Sequence, residues 1–145
     1  MKLINIFVLF FFLLSGWNAK AQKTCYDWSK SWHFRAVEFN CTCGADATCK
    51  MDSVLLRRLD IAREISAVPF YITSGYRTAA HNIEVGGAVL SSHVDGKAAD
   101  ILTPDVHTKA IVLDALIRAG FERIGIYKRH IHVDCADRPA AFWLQ

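Results

Sequence analysis

The chain has 145 residues, 21% of them charged, with a formal net charge of +3. That length suits one domain around one core. Lys2 and Lys20 fall in an N-terminal leader, which leaves the remainder near +1 and gives no footprint for nucleic acid.

The leader comes first. Lys2 precedes an apolar run from Leu3 to Leu14, and Ala19 and Ala21 flank Lys20. A short basic start, an apolar stretch and an A-x-A site predict a signal peptide over residues 1–21, cut before Gln22. The alternative is an uncleaved anchor, but the run is about 12 residues, against roughly 20 for a membrane span. The expectation is a secreted or periplasmic protein with no stable membrane insertion once the leader is removed.

Residues 22–145 then form a single domain, with a Cys-rich lobe at 22–50 and a core at 51–145. All five cysteines, Cys25, Cys41, Cys43, Cys49 and Cys135, follow the leader. Export places them where bridges form, and an odd count allows at most two bridges within one chain. The crowding in "CTCGADATC" suggests Cys41 or Cys43 bridged to Cys49, with Cys25 or Cys135 in a second bridge. A cysteine zinc site would need a fourth ligand and reduced thiols.

"MDSVLLRRLDIAREIS" predicts a helix capped by Asp52 or Ser53, with Val54, Leu55, Leu59, Ile61 and Ile65 inward. "VPFYITSGY" is a short β-rich run ending in a Ser-Gly turn. "RTAAHNIEVGGA" is helix-permissive until it breaks at Gly86-Gly87. "KAADIL" is a strand. "PDVHTKAIVLDALIRAGF" is a helix with Val106, Ala110, Leu113, Leu116 and Ile117 inward and Gly120 at its end. "RIGIY" and "HIHVDC" are strands around a basic turn. The order predicts an α+β fold: a small antiparallel sheet with helices on one side.

Two segments carry candidate chemistry. His93 and Asp100 stand seven apart in "HVDGKAAD". On a helix they would be roughly 10 Å apart, too far for one metal. On a strand they would point to opposite faces. The segment must therefore bend, and Gly96 is where it can. In "HIHVD", His130, His132 and Asp134 share one face while Ile131 and Val133 face the core. A solvent-facing edge strand would also produce that alternation. Convergence with His93 and Asp100 would make a metal site of imidazole and carboxylate donors, with either His130 or His132 as third ligand.

"SSHVDGKAAD" fits S-x-H-x-x-G-x-A-x-D at Ser91, His93, Gly96, Ala98 and Asp100. "GIYKRHIHVD" with Trp143, "ITSGYRTAAHN" and "VEFNCTCG" complete a pattern from about Glu38 to Trp143. The chain resembles the zinc D-alanyl-D-alanine carboxypeptidases and murein endopeptidases, the LAS metallopeptidases, whose fold hedgehog domains share. The resemblance implies zinc on His93, Asp100 and His132, peptidoglycan peptides as substrates, and Arg77 as substrate and oxyanion clamp. Several members carry an acid three residues before the third ligand, where this chain has Arg129. His130 is the nearest replacement as general base, with Asp134 as the other candidate or as the acceptor that fixes a ligand imidazole. The alternative function is a zinc-containing wall or protein binding module without hydrolysis. A monomer is expected.

Overall fold

The computed structural model describes residues 25–145, so the leader lies outside the described residues. The N-terminal lobe is built from two short 3-10 turns, Trp28–Lys30 and Ala36–Phe39. It shares the main core, because Phe34, Phe39 and Ala47 are buried with the helix and sheet residues. The buried Asp60 carboxylate fastens it, accepting hydrogen bonds from the Ser31 hydroxyl and the Trp32 and His33 amides. Cys49 bridges to Cys25, and not to Cys41 or Cys43. Cys41, Cys43 and Cys135 are free thiols, so no second bridge is present. The reason Cys49 pairs with neither Cys41 nor Cys43 is local. Cys41 turns into the core, and the loop after it closes on itself through Cys41 N–H to the Ala45 carbonyl.

Helix α1 (Ser53–Ser66) starts where the Asp52 carboxylate accepts from the Val54 and Leu55 amides. It ends at Ala67, the one non-glycine described residue with a left-handed φ, at 54°. Its inward stripe is Leu55, Leu56, Leu59 and Ala62, while Val54 and Ile61 are exposed. Helix α2 (Ala79–Glu84) is a single short turn and a half, capped by Thr78. Helix α3 (Val106–Arg118) is capped by Asp105 and buries Val112, Ala115 and Leu116. Val106 and Ile117, expected inward, are exposed. In both helices the true stripe is rotated from the expected one. Helix α1 packs on α3, and this second helix, not the sheet alone, decides which flank of each is covered.

The sheet has five strands: β1 (Ile72–Ser74), β2 (Ala98–Leu102), β3 (Arg123–Ile126), β4 (His130–Asp134) and β5 (Ala141–Leu144), in the order β1-β2-β4-β3-β5. The first four pair antiparallel, as expected of an α+β fold. The edge strand β5 runs parallel to β3 and has no counterpart in the sequence reading. Its four residues, "AFWL", are too few to show a period.

Register divides the sheet into two chemistries. Ala99, Ile101, Ile124, Ile131 and Val133 fall on one face and join the core with α1 and α3. The opposite face carries Asp100, His132 and Asp134. Across it runs one cross-strand row: Ser74, Asp100, His132, Gly125 and Trp143. Because side chains alternate along every strand, burying Ile131 and Val133 forces His130, His132 and Asp134 to the other side.

Candidate metal centre

The loop before β2 brings His93 back over Asp100. Successive turn hydrogen bonds fold it: Val94 N–H to Ser91 O, Gly96 N–H to His93 O and Lys97 N–H to Ser92 O. Gly96 has φ +68°, and a Cβ there would overlap the Lys50 carbonyl oxygen. Only glycine supplies both the left-handed backbone and the space. The Arg77 amide donates to the His93 carbonyl and ties this loop to the one after β1.

His93 is buried, with Nδ1 2.7 Å from the Gly75 carbonyl oxygen. Nδ1 must carry the proton to donate there, which leaves the Nε2 lone pair free. Nε2 lies 3.3 Å from Asp100 Oδ1. The same Oδ1 lies 2.8 Å from His132 Nδ1. His93, Asp100 and His132 each offer one ligand atom, all within 4.8 Å of one another. Four tetrahedral ligands held at about 2 Å from a metal sit about 3.3 Å apart, so the donor set and spacing suit a divalent ion.

Each inner atom has an outer partner that orients it. Asp100 Oδ2 accepts from Arg77 Nη2 at 2.9 Å. His132 Nε2 lies 3.4 Å from Asp134 Oδ2. Asp134 Oδ1 accepts from Arg123 Nε at 2.8 Å and from the Ala136 amide at 3.0 Å. Such carboxylate–imidazole pairs fix the tautomer of a ligand histidine.

The electrostatics follow. Burial alone would raise the Asp100 carboxyl, but hydrogen bonds to His132 and His93 outweigh it and hold it well below the carboxylate range. Burial likewise opposes the charged form of Asp134, yet His132, the Ala136 amide and Arg123 bring it down to about 2. Burial would lower His132, but Asp100 and Asp134 together raise it. For His130 burial wins over the attraction of Asp100, and its pKa falls below the ordinary imidazole value.

The three groups form the floor of a cleft of about 490 Å³, which also includes Arg77, His130, Asp134 and Arg138. The His130 ring stacks on Tyr127, with centroids 4.3 Å apart. Trp143 Nε1 donates to the Tyr127 hydroxyl at 3.3 Å, and its ring leans on His132 at 5.6 Å. Gly125 makes room for that ring: a Cβ would stand 2.5 Å from Trp143 Cε2.

Arg77 donates from Nε to the Ser74 hydroxyl at 2.8 Å as well as to Asp100. Its loop is pressed by the N-terminal lobe, since the Tyr76 amide donates to the Phe39 carbonyl. The Asn82 side-chain amide donates to the Ala88 carbonyl on the cleft rim. Ser92 accepts from Arg138 Nη2 at 2.5 Å. Arg129 is exposed. His33 pairs with Glu64, and His81 with Thr42 and Glu84, away from the cluster. Sequence reasoning missed Gly75, Ser74 and Arg123. Gly75 acts through its carbonyl, which no side-chain pattern reveals, and the other two reach the site only through strand register.

Two imidazoles and a carboxylate converging on an open cleft are the donor set of a mononuclear metallohydrolase. The sequence model of the family described as Peptidase M15 matches residues 32–135, and the chain belongs to that family. Among solved structures it is similar to the Serratia marcescens L-Ala D-Glu endopeptidase ChiX, at 21% identity and a TM-score of 0.49, over 60% of this chain and 81% of that one. No curated protein matches the chain.

Proposed function

We propose that this protein is an exported zinc peptidase that hydrolyses peptide bonds in peptidoglycan stem peptides or their cross-links. The observation that carries the proposal is the His93, Asp100 and His132 cluster on the cleft floor, in a chain of the Peptidase M15 family. Export is supported by the Cys25–Cys49 bridge, which belongs to an oxidising compartment, and by the leader pattern. Among the described residues no helix is long and apolar enough to cross a membrane.

His93 Nε2, Asp100 Oδ1 and His132 Nδ1 would hold the ion. When bound, zinc supplies Lewis-acid activation of water and of the scissile carbonyl. Arg77 keeps Asp100 oriented through Nη2 and presents its remaining N–H donors to the substrate oxygen as charge develops there. His130 lies on the cleft face of β4 with its pKa depressed, so it is neutral near pH 7 and accepts the proton of the attacking water. It returns that proton to the leaving amine. Asp134 acts behind His132. Its oxygens are engaged by Arg123, the Ala136 amide and His132, and a carboxyl held at about 2 is a weak base.

The test is digestion of purified murein by the zinc-loaded protein, with and without a chelator, followed by mass spectrometry of the released peptides. The expected result is chelator-sensitive release. Loss of a terminal residue identifies a carboxypeptidase, and split cross-links or stems identify an endopeptidase. A second reading, a zinc-bearing binding module, draws on the exposed Arg129 at the position where several relatives carry an acid. Binding to murein without any released peptide would establish it and overturn the peptidase.

A further inference from the structure

Outside the metal cleft, two thiols stand together in the N-terminal lobe. Cys41 Sγ and Cys43 Sγ are 2.8 Å apart, and neither belongs to the Cys25–Cys49 bridge. The loop that carries them is closed by Cys41 N–H to the Ala45 carbonyl and by Gly44 N–H to the Cys41 carbonyl. Gly44 adopts φ +93° with nothing near its Cα on the Cβ side, so the turn is built on backbone conformation. The two sulfurs need approach by less than about 1 Å to reach bonding distance.

Their surroundings differ. Cys41 is 3% exposed and packs beside the core, whereas Cys43 is open to solvent. Cys43 also lies 3.6 Å from the Thr78 hydroxyl, the cap of α2. An accessible thiol with a buried second thiol within reach is the arrangement of an attacking and a resolving cysteine. Cys135 has neither property: it is half-buried, its sulfur is near Arg58, and burial pushes its thiol up.

We propose that Cys41 and Cys43 are a thiol–disulfide exchange site that reacts with small-molecule disulfides and closes a reversible bridge within the lobe. The Cys43 thiolate attacks one sulfur of the external disulfide, forming a mixed disulfide and releasing one thiolate. Cys41 then gives its proton to the released thiolate and attacks the Cys43 sulfur, displacing the second thiolate, which takes a proton from water to replace the one Cys43 had lost. The external disulfide is reduced by two electrons to two thiols, and the two cysteines are oxidised to one bridge. The Cys41 thiol beside it, the Ala45 amide and the Thr78 hydroxyl bring the Cys43 thiol down to about 7, so a thiolate is available at neutral pH. A ring closed through the single residue Thr42 is short, and strained bridges are the readily reduced ones.

The experiment uses the purified full-length protein equilibrated in buffers of oxidised and reduced glutathione. Samples are quenched with acid, alkylated, digested and weighed by mass spectrometry. Oxidised glutathione should give a Cys41/Cys43 peptide that is two hydrogens lighter and refuses alkylation, and reduced glutathione should reverse this. In Cys41→Ala, Cys43 should retain glutathione as a stable mixed disulfide. In Cys43→Ser, a change at an exposed position that preserves folding, Cys41 should stay unmodified. Two freely alkylated thiols in the wild-type protein at the most oxidising ratio would overturn the proposal. So would a glutathione adduct on wild-type Cys43 that persists without the internal bridge, or an adduct on Cys41 in Cys43→Ser.

Discussion

Asp134→Asn is the substitution that separates the orienting role of this carboxylate from a role as base. The change keeps size and shape in a site that is 3% exposed, so packing is not the variable. The Asp134 carboxylate only accepts, so with the proposed ion bound His132 would carry its proton on Nε2 and turn the Nδ1 lone pair to the metal. An asparagine that keeps its oxygen toward Arg123 and the Ala136 amide turns its NH2 toward His132. The imidazole then moves its proton to Nδ1, on the metal-facing side. Turning the amide over restores His132 but sets the NH2 against two donors. Either arrangement costs at least one good hydrogen bond, and partners of this kind are worth 10–100-fold in metal affinity, about 1.4–2.8 kcal/mol. Competition against a fluorescent zinc chelator measures that affinity directly, and turnover is then read at saturating zinc. The expected outcome is weakened zinc binding with turnover largely recovered when zinc is in excess. Unchanged zinc affinity with turnover reduced by roughly 10²–10⁴-fold would refute the reasoning and make Asp134 the base.

His130→Ala should show the opposite pattern, with zinc affinity retained and turnover at saturating zinc lowered on the order of a hundredfold or more; an unchanged rate removes His130 from proton transfer. His93→Ala and Asp100→Ala should each abolish stoichiometric zinc in the purified protein, and Asp100→Ala should also lower thermal stability because Arg77 loses its charge partner in a half-buried site. Arg77→Ala should keep zinc but reduce turnover by about a hundredfold, read from kcat at saturating metal. Gly125→Ala forces a methyl against Trp143 and should cost about 1–3 kcal/mol in denaturant unfolding. The alkylation rate of Cys43 should rise with pH through about 7, below the range of an ordinary thiol, with Cys135 reacting only at higher pH; coincident profiles for the two thiols would contradict the contacts described for Cys43.

Much of the site was legible because its logic is local. The seven-residue spacing of His93 and Asp100 fits neither a helix nor a strand, and Gly96 was the one place to bend. The alternation in "HIHVD" assigns faces without reference to any contact. Less local features escaped. The helix stripes of α1 and α3 came out rotated because each helix covers the other as well as the sheet, and periodicity in one segment does not record where its neighbours stand. Proximity in sequence points Cys49 to Cys41 or Cys43, whereas the N-terminal lobe places Cys25 beside it.

Residue order alone establishes which residue types could hold a metal, which strand face would carry them, and that the segment from Ser91 to Asp100 must turn. These follow from covalent spacing and from the alternation of side chains, which hold whatever surrounds the segment. The packed fold sets Asp100 beside His132 across the β2–β4 pair and brings Gly75, Arg77 and Asp134 behind His93, Asp100 and His132. It also sets Trp143 at the end of the row, over Gly125. Register, backbone carbonyls and parallel edge pairing join residues far apart in the chain. Their energies depend on the packed whole, so no single stretch encodes them.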